Sequence, residues 1–162
     1  MKSIVPNEPA REVRGIMTSE VVTVEPETTV DEIAALMGRH ELSGLPVVDY
    51  ARRVLGIVTE LDIVVRYTRF KPPPSVTVLE ATIYLESPRH VRERMQHMMG
   101  ITAREIMTTP PATIGPGASL TELAELIVEQ RANPVAVVED GRLVGIVSAA
   151  DIVKLLARTA ES

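Results

Sequence analysis

Two seven-residue stretches carry the residues best suited to hold a ligand: Gly56-Ile57-Val58-Thr59-Glu60-Leu61-Asp62 and Gly145-Ile146-Val147-Ser148-Ala149-Ala150-Asp151. In each, a hydroxyl residue stands three places after a glycine, and an aspartate three places after that. The apolar step before the hydroxyl predicts the end of a strand, and the hydroxyl itself the start of a helix. Unpaired backbone N–H groups and the positive end of the helix dipole meet at such a junction, so an anion is favoured there. Thr59 or Ser148 can donate its hydroxyl to a phosphate oxygen. Asp62 or Asp151, one turn on, can accept from the paired hydroxyls of a ribose. The same spacing also makes an ordinary capping box, which stabilises a helix start by about 1 kcal/mol with no ligand at all. Capping and binding are not exclusive, and the recurrence of the pattern at matched places favours binding in addition to capping.

That recurrence belongs to a longer repeat. Arg14 and Ile16-Met17-Thr18 return as Arg104 and Ile106-Met107-Thr108, Thr23 as Thr113, and Thr29-Val30 as Ser119-Leu120. Pro46 in LSGLPVVD is matched to Pro134 in RANPVAVVE, and the offset stays between 88 and 90 throughout. Each unit reads β-α-β-β-α. An extended VVTV-like piece leads to a helix with Thr29 or Ser119 as N-cap and apolar residues at helical spacing (Ile33, Leu36, Met37; Leu123, Leu126, Ile127). Two short strands follow, joined by Asp49-Tyr50-Ala51-Arg52 or Glu139-Asp140-Gly141-Arg142; the Asp-Gly of the second is the stronger hairpin signal. A unit of about 50 residues cannot bury its sheet face well alone. Two of them packed sheet to sheet can.

Composition narrows the function. The 162-residue chain has 45% apolar residues but only 2% aromatics, so Val, Ile, Leu, Met and Ala must fill the core. A net charge of −5 argues against broad phosphate neutralisation on nucleic acid. With no cysteine, disulfides, thiolate chemistry and Cys-ligated zinc are excluded. No apolar run is long enough to span a bilayer and no signal-peptide pattern is present, so the expectation is a soluble, cytoplasmic protein without membrane contact.

In its IMT starts, its LPVVD strand, and GIVT-x-x-D or GIVS-x-x-D closings, the sequence resembles the cystathionine-beta-synthase (CBS) domain pair, also called a Bateman module. The resemblance covers both repeats. It implies an α/β (α+β) fold of two tandem β-α-β-β-α CBS repeats, packed sheet to sheet with pseudo-twofold symmetry and two clefts between them, plus an inter-repeat insert. The expected divisions are a flexible leader (1–12), a first repeat (13–68), the insert (69–100) and a second repeat (101–160). The resemblance further implies an adenosine derivative in one or both clefts, such as AMP, ADP, ATP or S-adenosylmethionine. Asp62 and Asp151 would take ribose hydroxyls, and Thr59 and Ser148 would approach phosphate. Leu42-Ser43-Gly44 and Gln130-Arg131-Ala132 would form cleft walls, with Thr18, Thr23, Thr108 and Thr113 at the adenine end. Arg131, three residues before Pro134, is where relatives such as the gamma subunit of AMP-activated kinase place a phosphate-binding cation. Its match in the first repeat, counted from the proline, is Ser43, so the clefts are expected to differ. A free-standing pair would signal to an effector protein or through oligomer geometry, with a homodimer expected.

Other signals are weaker. Pro72-Pro73-Pro74 reads as an extended spacer, Val76 to Glu86 as one strand, and Ser87-Pro88 as the start of a helix ended by Gly100. His40, His90 and His97 have no partner at metal-ligand spacing and read as surface histidines. The basic island Arg89, Arg92 and Arg94 reads as a solvated face, and Met95, Met98 and Met99 as packing. No nucleophile-base-acid set, Walker loop or GxGxxG is present, so the chain is not expected to be an enzyme or to hold a cofactor or metal. Two alternatives to a ligand sensor remain: a dimerisation or interaction module with empty clefts, separated by the intact Gly-x-x-Ser/Thr-x-x-Asp in both halves, and a small nucleotide-acting enzyme, which lacks a general base.

Overall fold

One local device starts every helix of the two repeats: a hydroxyl residue whose backbone N–H donates to an acid three residues later. The computed structural model describes residues 12–69, 75–78, 81–84, 87, 89–90, 92 and 101–161. In it, Thr29 precedes α1 (Val30–His40) and its N–H lies 3.0 Å from Glu32 Oε2. Thr59 precedes α2 (Glu60–Arg69), Thr102 precedes α3 (Ala103–Ile106), Ser119 precedes α4 (Leu120–Gln130) and Ser148 precedes α5 (Ala149–Ala160). The matching bonds to Asp62, Glu105, Glu122 and Asp151 are 2.7 to 2.8 Å. At their other ends α1 and α4 also agree. Each stops at a residue in the left-handed region, Glu41 (φ 53°) and Arg131 (φ 52°), where glycine is the usual occupant.

In the first repeat β1 (Gly44–Val48) runs antiparallel to β2 (Val54–Thr59). The insert holds an antiparallel hairpin of β3 (Ser75–Val78) and β4 (Ala81–Tyr84). The single strand expected over Val76 to Glu86 is therefore two, because the chain reverses after Val78 and pairs with itself. Ser87 Oγ accepts a hydrogen bond of 3.4 Å from the His90 amide, as an N-cap does. The leader up to residue 11, the triple proline, Arg94, His97, the Met95, Met98 and Met99 stripe and Gly100 lie outside the described residues.

The second repeat sets β5 (Thr113–Ile114) parallel to β6 (Val135–Glu139), and β6 antiparallel to β7 (Arg142–Val147). Val24 takes the place of β5 in the first repeat, through a parallel bridge to Val47. Asp140 and Gly141 both have positive φ (50° and 75°), as a type I′ hairpin turn requires.

Strand register corrects one equivalence drawn from sequence. Leu45 pairs with Val58 as Val135 does with Val147, and Pro46 with Ile57 as Ala136 does with Ile146. The counterpart of Pro46 is thus Ala136, and that of Pro134 is Gly44. The two prolines lie two positions apart in register; cross-strand pairing with Gly-Ile-Val, not the ring, fixes the alignment. It follows that Arg131 corresponds to Glu41, not to Ser43, in agreement with the shared left-handed caps. The offset of one that appears later falls in the first hairpin turn, which is a residue longer.

The repeats exchange their opening segments. Val13 and Arg14, in the 3-10 turn Val13–Gly15, donate backbone hydrogen bonds of 2.9 Å to Ala118 and Pro116 of the second repeat. Thr18 and Ile146 exchange two more, each 2.9 Å. In mirror fashion Ala103 and Arg104 donate to Thr28 and Pro26 of the first repeat, and Thr108 to Ile57. The apolar clusters follow the exchange. Val13 is buried with Leu123, Val135, Val137 and Val147, while Ala103 and Ile106 are buried with Ile33, Leu45, Val47 and Val58. A third cluster of Val48, Ile57, Ala136 and Leu143 joins the two sheets, reinforced by a 2.9 Å bond from Leu143 N–H to the Arg52 carbonyl.

Candidate ligand-binding crevice

Where the two sheets meet, a crevice of about 430 Å³ opens between the start of α2 and the end of α4. The first repeat contributes Ser43, Ile57, Thr59 and Asp62; the second contributes Thr108, Ala112, Arg131, Ala132 and Pro134. Residues far apart in sequence meet here because the exchanged segment carries Thr108 onto β2, and because α4 ends beside the strand that packs on the first repeat.

Asp62 is the best-defined member. Its Oδ2 accepts from the Thr59 amide at 2.7 Å and from the Thr59 hydroxyl at 2.9 Å. Two donors saturate that oxygen, whereas Oδ1 accepts no hydrogen bond among the described residues. One carboxylate oxygen therefore holds the cap, and the other leaves two lone pairs free for paired hydroxyls. The capping and binding readings of the sequence divide between the two oxygens of one side chain. Ser148 and Asp151 repeat the arrangement, with bonds of 2.8 and 2.9 Å to Asp151 Oδ2. The same box occurs at Thr29/Glu32 and Ser119/Glu122, so capping alone does not mark a site. Position beside the crevice does.

The helix start offers an anion less than its sequence implies. The Thr59 hydroxyl donates to Asp62, and the Glu60 amide donates to the Ser43 carbonyl at 3.0 Å. At α5 the Ala149 amide is held at 3.0 Å by Asn133 Oδ1. Arg131 is the better anion anchor. It lines the crevice, and its guanidinium has no hydrogen bond or ion pair among the described residues. Glu60 and Asp62 bring two carboxylates to the same crevice.

Seven residues named from sequence thus come together: Ser43, Thr59, Asp62, Thr108, Gln130, Arg131 and Ala132. Ser148, Asp151 and Thr18 lie at the symmetry-related position, where Thr18 is laddered to Ile146 beside the cap of α5. Gly44 is buried against Pro134. Thr113 is exposed and pairs with Ala136, leaving Ala112 to line the crevice; Thr23, its counterpart, precedes the bridging Val24. Sequence reasoning passed over Pro110, Pro111, Asn133 and Pro134, which also line the crevice. The signal was available in the run Thr108-Thr109-Pro110-Pro111, a rigid stretch directly after a proposed site residue. Among the described residues no group of three or more His, Asp or Glu is arranged to hold a metal ion, and no helix is long and apolar enough to cross a membrane.

Comparison with known proteins agrees with this architecture. The family model for the CBS domain matches residues 11–68 and 103–158. The chain is 32% identical over 142 residues to an uncharacterized protein of Methanocaldococcus jannaschii, MJ1404, a match covering 88% of this chain and 31% of that protein. The chain therefore spans under a third of the length of this relative. Among solved structures, CBSX2 in complex with AMP superposes with a TM-score of 0.69 at 22% identity, covering 93% of this chain and 98% of that one. The CBS domain pair of protein MJ0100, in complex with 5′-methylthioadenosine and S-adenosyl-L-methionine, superposes with a TM-score of 0.66 at 22% identity, covering 91% and 97%. At this identity both establish a shared fold.

Proposed function

Because the chain belongs to the CBS domain family and carries that domain twice, we propose that it is a regulatory module that binds an adenosine derivative in the crevice between its repeats and passes the resulting change to a partner. One observation carries the reading: the crevice sets Asp62 of the first repeat, with a carboxylate oxygen free, in the same space as the unpaired Arg131 of the second. A volume of about 430 Å³ lies within the range of small-molecule sites, roughly 300 to 1,000 Å³. In this reading Asp62 Oδ1 accepts from the ribose hydroxyls, Arg131 meets the phosphates, and Ile57, Pro110, Pro111 and Pro134 flank the base. Aliphatic and proline walls suit a chain so poor in aromatic rings. The complexes of CBSX2 with AMP and of MJ0100 with S-adenosyl-L-methionine, proteins of the same fold, lend support.

A ligand in this crevice touches both repeats, so its affinity depends on how they are disposed, and that difference is what can shift an equilibrium. Calorimetric titration with AMP, ADP, ATP and S-adenosylmethionine tests the reading. Asp62→Asn keeps an acceptor for the cap and should weaken binding at least about tenfold, as expected for losing a charge-assisted bond. Unchanged affinity in that variant would refute the site.

A second reading, an association module, is favoured by one observation. Leu61 and Val64 on α2 are 69% and 54% exposed, and Val153 and Leu156 on α5 are 64% and 63% exposed. Apolar stripes on the two closing helices suit a homodimer, which is compatible with ligand sensing and would carry its output. Sedimentation of the full chain tests it; a monomer at high concentration would remove it.

A further inference from the structure

Building on the nucleotide reading, we infer that the chain admits phosphate-bearing ligands to the crevice at Arg131 and not to the symmetry-related position beside Asp151, from which Glu20 and Glu41 exclude them. The register and the left-handed caps relate Arg131 to Glu41. The ladders Thr108–Ile57 and Thr18–Ile146 relate Pro110 to Glu20, two residues beyond each threonine. The first crevice therefore has a free guanidinium and a neutral proline where the second position has two carboxylates, both exposed. Glu41 borders the shallow groove between α1 and α2. Neither Glu20 nor Glu41 is paired with a cation among the described residues; Asp151 and Asp62 are equivalent and cancel in the comparison, while Glu60 gives the first crevice one carboxylate that Ala149 does not match. On the neighbouring elements Glu60 and Leu61 correspond to Ala149 and Ala150, and Gln130 to His40, so no lysine or arginine stands in the place of Arg131; the nearest basic residue along α5 is Lys154, about one turn after Asp151.

The ribose-binding half of the second position is intact, because the Ser148/Asp151 cap repeats that of Thr59/Asp62. What differs is the charge met by a phosphate. Replacing an attractive partner by two exposed repulsive ones, less the Glu60 carboxylate that the second position lacks, lowers affinity by roughly tenfold. The two halves thus share a nucleoside site and differ in its phosphate end.

Titration of the full chain with AMP is expected to give one site per chain in the wild type and two in Glu20→Gln/Glu41→Arg. Arg131→Glu should abolish the wild-type site for AMP while leaving adenosine bound. Two AMP sites of matched affinity in the wild type, a single site in the double variant with unchanged thermal stability, or undiminished AMP binding by Arg131→Glu would each overturn the inference. If the wild type binds none of AMP, ADP, ATP, S-adenosylmethionine and adenosine, the nucleotide reading falls and this inference with it; a wrong AMP site count sinks the inference alone.

Discussion

A methyl group added to Gly44 would lie 2.6 Å from Pro134 Cδ and 2.9 Å from Pro134 Cγ, so the two residues that hold the same place in the two repeats meet each other at the junction. One must be small for the other to be a ring. The Val58 carbonyl, 3.2 Å away, closes the remaining side.

Gly44→Ala is accordingly expected to cost about 1 to 3 kcal/mol, the usual range for overpacking against a rigid neighbour. Urea denaturation measures it, and Pro134→Ala in the same chain should restore part of the loss. An alanine tolerated at no cost would mean that the junction can part.

Val13 is fully buried in the core of the second repeat although it opens the first in sequence. Val13→Ala removes two buried methyl groups and should destabilise by about 1.5 to 3 kcal/mol. In hydrogen exchange the loss of protection should fall on β6 and β7, as it would for Leu123→Ala. Loss confined to β1 and β2 would contradict the exchange of segments.

Arg131 occupies a left-handed cap at φ 52°, a conformation that costs an L-residue roughly 1 kcal/mol relative to glycine. Arg131→Gly should leave stability equal or slightly higher, yet weaken AMP more than adenosine. Thermal melts and calorimetry on one preparation read both. Equal losses for the two ligands would remove the phosphate role.

Asp49 anchors the first hairpin turn. Its carboxylate accepts from the Ala51 and Arg53 amides and from Arg53 Nε, and these bonds, that of the Arg53 amide foremost, hold its pKa below the ordinary aspartate value. A folded-state pKa below the unfolded one gives stability that is complete above the unfolded value and is lost as pH falls through the folded one. Asp49→Asn should therefore lower the melting temperature at neutral pH and reduce its fall between about pH 6 and about pH 3. Parallel falls in wild type and variant would show that the turn does not couple to protonation.

Local chemistry made much of this molecule readable. Thr29, Thr59, Ser119 and Ser148 mark helix starts because a capping box needs only four consecutive residues, and Asp140-Gly141 marks its turn because both φ angles must be positive. Asp62 and Arg131 were legible as site residues, but not as members of one crevice. Their meeting depends on Thr108 bonding to Ile57 and on Leu143 reaching Arg52, contacts between distant segments that leave no local pattern. The proline pair misled for a related reason. A ring restricts φ wherever it stands, whereas register depends on which residues face each other across a ladder. With Pro46 matched to Pro134, Glu41 was hidden as the true counterpart of Arg131.

The traded opening segments give the tandem chain the topology of a domain-swapped dimer whose halves have been fused into one polypeptide. A single repeat cut free would lose the arm that covers its flank and would carry an arm with nothing to cover. Two such fragments could each be completed only by embracing the other, so the smallest unit of this sequence able to close its own core is the pair.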